Sequence, residues 1–163
     1  ENDEVFYQDI GNISIGQGPI GITPIQAAQV LLTIVNDGML KKPVLIKEIR
    51  DSMGNTHGNL ISQPENKKIL STETAKKVRE ALEAATKYGT GTTANPDNNQ
   101  RIGGKTGTAE IVNDISHAWF VGYYPAEKPE LVISVLVEHG GSGSTSAAPV
   151  FRDIINQISN SIN

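Results

Sequence analysis

The segment Gly103-Gly104-Lys105-Thr106-Gly107-Thr108-Ala109 has the residue types and spacing best suited to chemistry in this sequence. It places a cationic amine beside two hydroxyls, with glycine before and between them. A cation next to hydroxyls can hold a carboxylate or a phosphate through charge-assisted hydrogen bonds. Lys-Thr-Gly alone is short enough to occur by chance, and an exposed lysine on a glycine-bearing strand is then its simplest interpretation. Only the sequence around the motif can distinguish an anion-binding site from an ordinary exposed lysine.

A phosphate-binding P-loop is the first functional alternative, because Gly104-Lys105-Thr106 matches the end of that motif. The motif also requires glycine at the position that Asn99 occupies. Its loop must lead into a helix whose N-terminus holds the phosphate, whereas the residues after Thr108 favour strands. Both requirements fail, so the sequence excludes a P-loop nucleotide site.

Lys-Thr-Gly is also the third motif of the serine acyltransferases, which combine it with Ser-x-x-Lys and Ser-x-Asn. The flanking sequence resembles penicillin-binding proteins over nearly the whole chain. Five segments carry the resemblance in the family's order: the Ser14–Gln26 glycine loop and helix start, Lys105–Glu110, His117–Tyr123, Val137–Gly141 and Ala147–Phe151. The glycine- and serine-rich stretch after His139 is most similar to the monofunctional class B enzymes of the elongation type, penicillin-binding protein 2.

The resemblance implies a role for each residue of the third motif in acyl transfer. Lys105 contributes positive charge near the serine of the second motif and aids proton transfer. The hydroxyls of Thr106 and Thr108 hold the terminal carboxylate of the substrate or of a β-lactam. Gly107 lets the acyl group lie against the strand. The backbone N–H of Thr108 is one of two oxyanion-hole donors, and the nucleophilic serine supplies the other.

The first two motifs of the family are not recognisable in the sequence. No serine is followed three residues later by lysine, and Ser161-Ile162-Asn163, which formally fits the second motif, is interpreted as coincidence at the chain end. Residues 1–163 are therefore expected to form the C-terminal portion of a single transpeptidase domain. The acidic start Glu1-Asn2-Asp3-Glu4 is unlike a signal peptide and suggests a piece of a longer chain. On its own, the chain is expected to be inactive.

The implied function is that of a D,D-transpeptidase that cross-links peptidoglycan stem peptides ending in D-Ala-D-Ala and is acylated by β-lactams. Its expected place is the extracytoplasmic face of the bacterial membrane, anchored by an upstream helix. The expected partners are the upstream half of the same domain and the cell-wall elongation machinery. A serine β-lactamase and a β-lactam-sensing receptor domain remain as alternatives.

Composition excludes several other functions. A net charge of −4, scattered cations and 5% aromatic residues argue against a nucleic-acid surface. The absence of cysteine removes disulfides, thiolate zinc sites and cysteine nucleophiles. His57, His117 and His139 share no metal-ligand spacing, and we expect neither a metal nor a cofactor.

The elements that must position the motif follow from capping signals and periodicity. One helix starts at the capping box Thr23–Gln26 and ends before Gly38, and a second starts after Ser71. Their predicted buried faces are Ala27, Val30, Leu31, Ile34 and Val35 in the first, and Ala75, Val78, Ala81, Leu82 and Ala85 in the second. Strands are predicted at Val44–Ile49, Ile102–Val112, Ala118–Tyr124 and Leu131–Glu138, and a last helix around Val150–Ile158. Loops are predicted at Gly11–Gly21, Tyr88–Gln100 and Gly140–Ser146, and the link Glu110–Ser116 is a candidate groove wall.

Short links between the last three strands favour antiparallel neighbours. The pattern predicts an α+β fold, an antiparallel sheet flanked by helices. By resemblance, this is the C-terminal part of the penicillin-binding protein and serine β-lactamase-like transpeptidase fold.

Overall fold

The computed structural model describes residues 10–162, except 19, 47 and 57–65. The predictions made for Glu1–Glu4, His57 and Asn163 lie outside the described residues. Four α-helices are described: α1 (Ile10–Ser14), α2 (Pro24–Val35), α3 (Thr72–Lys87) and α4 (Ala148–Ile162). The strands are β1 (Met39–Leu40), β2 (Lys67–Lys68), β3 (Gly103–Ile111), β4 (Asp114–Tyr124) and β5 (Leu131–Val137). A 3₁₀ turn at Thr92–Ala94 and a π-helical turn at Gly143–Ala147 complete the described elements. Among these residues, no helix is both long and apolar enough to cross a bilayer.

The main sheet has the order β3-β4-β5 and both pairs are antiparallel, as predicted. Helix α4 covers one face, where Phe120 of β4 packs against Phe151 with ring centroids 4.9 Å apart. Helix α2 covers the other face, where Leu31 packs near the fully buried Tyr123. Apolar side chains of β5 contribute to both clusters, which explains its nearly continuous apolar sequence.

The two central helices begin where their capping residues predict. The Thr23 hydroxyl accepts a hydrogen bond from Gln26 N–H, and the Gln26 side chain accepts one from Thr23 N–H. Ser71 caps α3 by accepting from Thr74 N–H at 3.0 Å. Gly38 follows the end of α2 with φ +84°, and a methyl group there would collide with the Leu70 backbone. These contacts set where the two helices begin and where α2 ends.

The predicted buried faces of the helices are partly wrong. Val30 is 62% exposed and Ala81 is also exposed, so each helix buries a narrower stripe than predicted. Thr33 and Thr86 are buried instead. Their hydroxyls donate to backbone carbonyls, which removes the cost of burying a polar group.

The predicted strand Val44–Ile49 does not form in its described residues. Its apolar residues are exposed, with Leu45 at 89%. A strand needs a partner for its backbone groups, and the pairing described here is one isolated bridge between Arg50 and Thr56. The apolar pattern was therefore misleading.

Short helical turns occur inside the three predicted loops, namely α1, the 3₁₀ turn and the π-helical turn. Strand β4 also begins earlier than predicted, at Asp114. The predicted Glu110–Ser116 link is therefore mostly strand, and β3 and β4 form a tight hairpin. Asn113, with φ +59°, supplies the left-handed residue that such turns favour.

Candidate active site

Strand β3, which carries the Lys-Thr-Gly motif, lies at one end of the main sheet. It pairs with β4 along one edge. Within the described ranges, no strand covers its other edge. We refer to this uncovered side of Lys105–Glu110 as the open edge.

Two contacts of Gln17 show which backbone groups of β3 face the open edge. Gln17 Nε2 donates to the Thr108 carbonyl at 2.6 Å, and Glu110 N–H donates to Gln17 Oε1 at 3.3 Å. The backbone N–H and C=O of one residue in an antiparallel strand point to the same edge, and this alternates along the strand. The N–H of Thr108 and the carbonyl of Thr106 therefore face the open edge as well.

The Lys105 amine and the hydroxyls of Thr106 and Thr90 lie close together next to these backbone groups. Lys105 Nζ donates to the Thr106 carbonyl at 2.9 Å and lies 3.4 Å from Thr106 Oγ1. The Thr106 hydroxyl also shares a 2.7 Å hydrogen bond with the hydroxyl of Thr90. Thr108 is exposed, and its hydroxyl makes no hydrogen bond within the described part of the chain. This cluster can bind an anion at the edge of the strand.

Gly107 and Gly143 allow two separate close contacts at the Lys-Thr-Gly strand, one with β4 and one with the π-helical turn. A methyl group at Gly107 would lie 3.1 Å from Trp119 Cβ on the neighbouring strand. A methyl group at Gly143 would lie 2.5 Å from the Gly107 carbonyl oxygen and closer still to the Trp119 carbonyl oxygen. The backbone of the π-helical turn therefore rests directly on the Lys-Thr-Gly strand. Trp119 is half-buried beside this contact.

Ion pairs hold the start of β3 in place. Arg101 donates to Glu83 of α3 at 3.0 Å and to Glu127 of the β4–β5 turn at 2.7 Å. The hydrogen bond to Glu127 raises the pKa of Arg101. A hydrogen bond from its own backbone, followed by the one from Arg101, lowers the pKa of Glu127. Burial raises the pKa of Tyr123, and the nearby Glu83 carboxylate adds to the effect.

The described histidines, His117 and His139, contact each other at the end of β4 that pairs with Ala109. The backbone N–H of His139 donates to His117 Nδ1 at 3.0 Å, and His139 Nδ1 lies 3.4 Å from the Asp114 carboxylate. Across the part of the chain that the structure describes, no group of three or more metal-ligating side chains is found. A concavity of about 470 Å³ lies between α3 and residues 95–102, and none of Lys105, Thr106 or Thr108 lines it. The candidate site is therefore an open strand edge rather than a closed pocket.

The structure thus brings the Lys105 amine, the Thr106 hydroxyl and the Thr108 N–H together at the open edge, while the backbone groups of Gly107 between them point toward β4. Sequence reasoning missed Thr90 and the side chain of Gln17 as parts of this site. Both lie in glycine-flanked runs, Gly89-Thr90-Gly91 and Gly16-Gln17-Gly18, which was the available signal. A polar residue between two glycines is often exposed on a loop, where binding residues concentrate.

Comparison with known proteins finds similar chains over most of the sequence. The family model described as the penicillin-binding protein transpeptidase domain matches residues 3–156. The peptidoglycan D,D-transpeptidase MrdA of Haemophilus influenzae is 32% identical, over 90% of this chain and 25% of its own. Stage V sporulation protein D of Bacillus subtilis is 36% identical, over 87% of this chain and 23% of its own. A ceftriaxone acyl-enzyme complex of penicillin-binding protein A from M. tuberculosis superposes with a TM-score of 0.79 at 29% identity, over 90% of this chain and 34% of that one. The chain spans about a quarter of the length of these curated relatives.

Proposed function

Because the chain belongs to the penicillin-binding protein transpeptidase domain family, we propose that it forms one wall of the active site of a serine-type peptidoglycan D,D-transpeptidase. The full-length protein cross-links peptidoglycan by acyl transfer from stem peptides ending in D-Ala-D-Ala, and β-lactams acylate it. One observation supports this most directly: the Lys105 amine, the Thr106 hydroxyl and the Thr108 N–H face the same open edge.

The carboxylate of the terminal D-Ala binds at one end of this row. Thr106 Oγ1 and Thr108 Oγ1 donate to it, and the Lys105 charge stabilises it. Thr90 orients the Thr106 hydroxyl through their 2.7 Å hydrogen bond. A β-lactam carboxylate takes the same place, which explains how one site accepts both ligands.

The scissile carbonyl binds at the Thr108 N–H. A serine of the upstream Ser-x-x-Lys motif attacks this carbonyl, and the oxyanion that forms accepts hydrogen bonds from Thr108 N–H and from the N–H of that serine. Collapse of the tetrahedral intermediate expels the terminal D-Ala, whose amine takes a proton, and leaves an ester on the serine. An amine of a second stem peptide then attacks the ester and forms the cross-link. Gly107 leaves room for the acyl chain beside the strand.

The proposal extends to the place and partners of the full-length protein. Residues 1–163 are the C-terminal portion of its transpeptidase domain and pack against an upstream half that holds the first two motifs. The protein works at the extracytoplasmic face of the membrane, held by an upstream anchor, together with the cell-wall elongation machinery. The relative named peptidoglycan D,D-transpeptidase MrdA supports the extracytoplasmic location.

Labelling of the full-length protein with a fluorescent penicillin tests the function. We expect one covalent adduct per molecule by intact mass, on a serine followed three residues later by lysine. Lys105→Ala should slow acylation by about 10- to 150-fold, since hydrogen bonds to charged groups contribute about 1.5–3 kcal/mol. Lys105→Arg should slow acylation less than Lys105→Ala, because arginine keeps the positive charge. Some loss should remain, because the guanidinium differs from the amine in shape.

Lys128→Ala is the matched control, because Lys128 is an exposed lysine whose nearest carboxylate oxygen, on Glu130, is 3.9 Å away. It should label like the wild type. Equal rates for Lys105→Ala and Lys105→Arg would disprove the electrostatic role of Lys105. A wild-type protein that never forms the adduct would disprove the proposed function.

A further inference from the structure

Gln17 holds the open edge in the way that a neighbouring strand would. Its side-chain amide donates to the Thr108 carbonyl at 2.6 Å and accepts from Glu110 N–H at 3.3 Å. These are a C=O and an N–H on the same edge, two residues apart, which a paired antiparallel strand would engage. We call these two hydrogen bonds the Gln17 clamp.

An acyl donor needs the same backbone groups, if the proposed function holds. In an antiparallel pair, a residue that accepts from the N–H of the opposite residue also donates its own N–H to the C=O of that residue. A substrate residue whose scissile carbonyl accepts from Thr108 N–H therefore donates its N–H to the Thr108 carbonyl. Gln17 Nε2 already donates to this carbonyl.

The direction of the strand gives a second overlap. In antiparallel pairing, residues that precede the scissile bond extend toward Glu110, while the terminal carboxylate extends toward Thr106. The carboxylate end thus meets the Lys105 and Thr106 cluster, and the rest of the stem peptide follows the edge that the Gln17 clamp occupies.

Residues 10–18, which include Gln17, make few described contacts with the rest of the protein, so that the clamp can open. Helix α1 has no buried residues. Gly16 and Gly18, on either side of Gln17, have φ values of +77° and +91°. A methyl group at Gly16 would meet no atom within 4 Å. Among the described hydrogen bonds of residues 10–18, the two of the Gln17 clamp are those that reach another part of the chain. Regions with few buried contacts open at small free-energy cost.

We propose that the Gln17 clamp closes the acyl-donor track of β3 and must be displaced before the peptide N-terminal to the scissile bond can pair with the strand. Gln17 thus competes with the ligand for the Thr108 carbonyl, and it lowers the apparent affinity for ligands whose amide N–H would donate to that carbonyl. A ligand that binds only the open state loses affinity in proportion to the population of that state.

Acylation kinetics of the full-length protein test the proposal. Gln17→Ala removes the clamp, and Gln17→Glu removes its donor because a carboxylate only accepts. Both variants should be acylated by benzylpenicillin about 2- to 10-fold faster at low concentration, the effect of one net neutral hydrogen bond. The gain should lie in the apparent dissociation constant, with an unchanged rate constant at saturation. Gln29→Ala is the matched control, because Gln29 donates to the Lys41 carbonyl, which belongs to neither strand of the hairpin.

A second β-lactam separates competition from general loosening. Imipenem carries a hydroxyethyl group in place of an acylamino chain and has no N–H for the Thr108 carbonyl, so that Gln17→Ala should change its acylation less than twofold. Hydrogen exchange of Glu110 N–H in the unliganded protein should become faster in Gln17→Ala.

Slower or unchanged acylation by benzylpenicillin in both variants, with wild-type melting temperatures, would overturn the clamp but leave the proposed function intact. Equal acceleration with both β-lactams would also overturn it, since competition for Thr108 requires a difference. A wild-type protein that no β-lactam acylates would overturn both proposals.

Discussion

Replacement of Thr106 by valine tests the anion site most directly, because the two side chains have nearly the same shape. In the structure, the Thr106 hydroxyl lies 3.4 Å from Lys105 Nζ and 2.7 Å from the Thr90 hydroxyl. Thr106→Val removes one donor to the substrate carboxylate and leaves Thr90 without its partner. Thr90 is exposed, so water replaces that partner at little cost. The loss should therefore come from the carboxylate alone.

The expected magnitude follows from the charge of the ligand. A hydrogen bond to a charged group contributes about 1.5–3 kcal/mol, which corresponds to about a 10- to 150-fold lower second-order rate constant of acylation by penicillin. Thr90→Val leaves the donor in place but removes the group that orients it. A neutral hydrogen bond contributes about 0.5–1.5 kcal/mol, so that this variant should lose about 2- to 10-fold.

Stopped-flow acylation of the full-length protein with a fluorescent penicillin measures these rates. Thr92→Val serves as the control, because Thr92 is an exposed threonine in the same loop whose hydroxyl has no described hydrogen bond. We expect the largest loss of acylation rate for Thr106→Val, a smaller one for Thr90→Val and none for Thr92→Val. Unchanged acylation in Thr106→Val would remove Thr106 from the site. Equal losses in the Thr106 and Thr90 variants would show that the hydroxyl pair, rather than the carboxylate contact, matters.

Two further predictions concern packing and pH. Gly143→Ala should cost about 1–3 kcal/mol of stability and slow acylation, because its methyl group would lie 2.5 Å from the Gly107 carbonyl oxygen. Thermal melting and penicillin labelling measure both effects, with Gly21→Ala as the control because its methyl group would meet no atom within 4 Å. Wild-type values for Gly143→Ala would contradict the close contact. The pKa of Tyr123 is raised by burial, so the stability it contributes is complete below the unfolded pKa of about 10 and is lost above it, by up to about 1.4 kcal/mol per pH unit. Chemical denaturation between pH 8 and 11 should therefore show a smaller alkaline loss in Tyr123→Phe than in the wild type, and equal slopes would refute this assignment.

Local sequence signals predicted the elements around the site well, for identifiable reasons. The capping box at Thr23 and the cap at Ser71 act within three residues of the chain, and the structure has both. The three strands and their antiparallel order follow from apolar runs joined by short links. The α+β fold and the family resemblance are confirmed by the helices, the antiparallel sheet and the family match.

Features that depend on distant contacts could not be predicted in the same way. Thr86 was not among the residues predicted to be buried in α3, yet it is buried, and its hydroxyl donates a hydrogen bond to the Ile102 carbonyl sixteen residues later. Gln17 reaches Thr108 across 91 residues. Leu45 belongs to an apolar run that resembles a strand, but a strand forms only where a partner meets its backbone. These outcomes depend on tertiary structure, on which periodicity carries no information.

The roles proposed for the open edge also explain why such an edge is tolerated. An uncovered strand exposes unpaired N–H and C=O groups and can pair with another chain, and natural proteins counter this with charged residues or by covering the edge. Lys105 places a cation on the edge, and the Gln17 clamp covers the groups of Thr108 and Glu110. A catalytic strand cannot be covered permanently, because only free backbone groups can bind a peptide carbonyl. A removable side-chain amide meets both requirements, since it protects the edge in the unliganded protein and yields to a peptide of the right direction. Gln17→Ala should therefore increase concentration-dependent self-association, besides being acylated faster, and light scattering would detect the association.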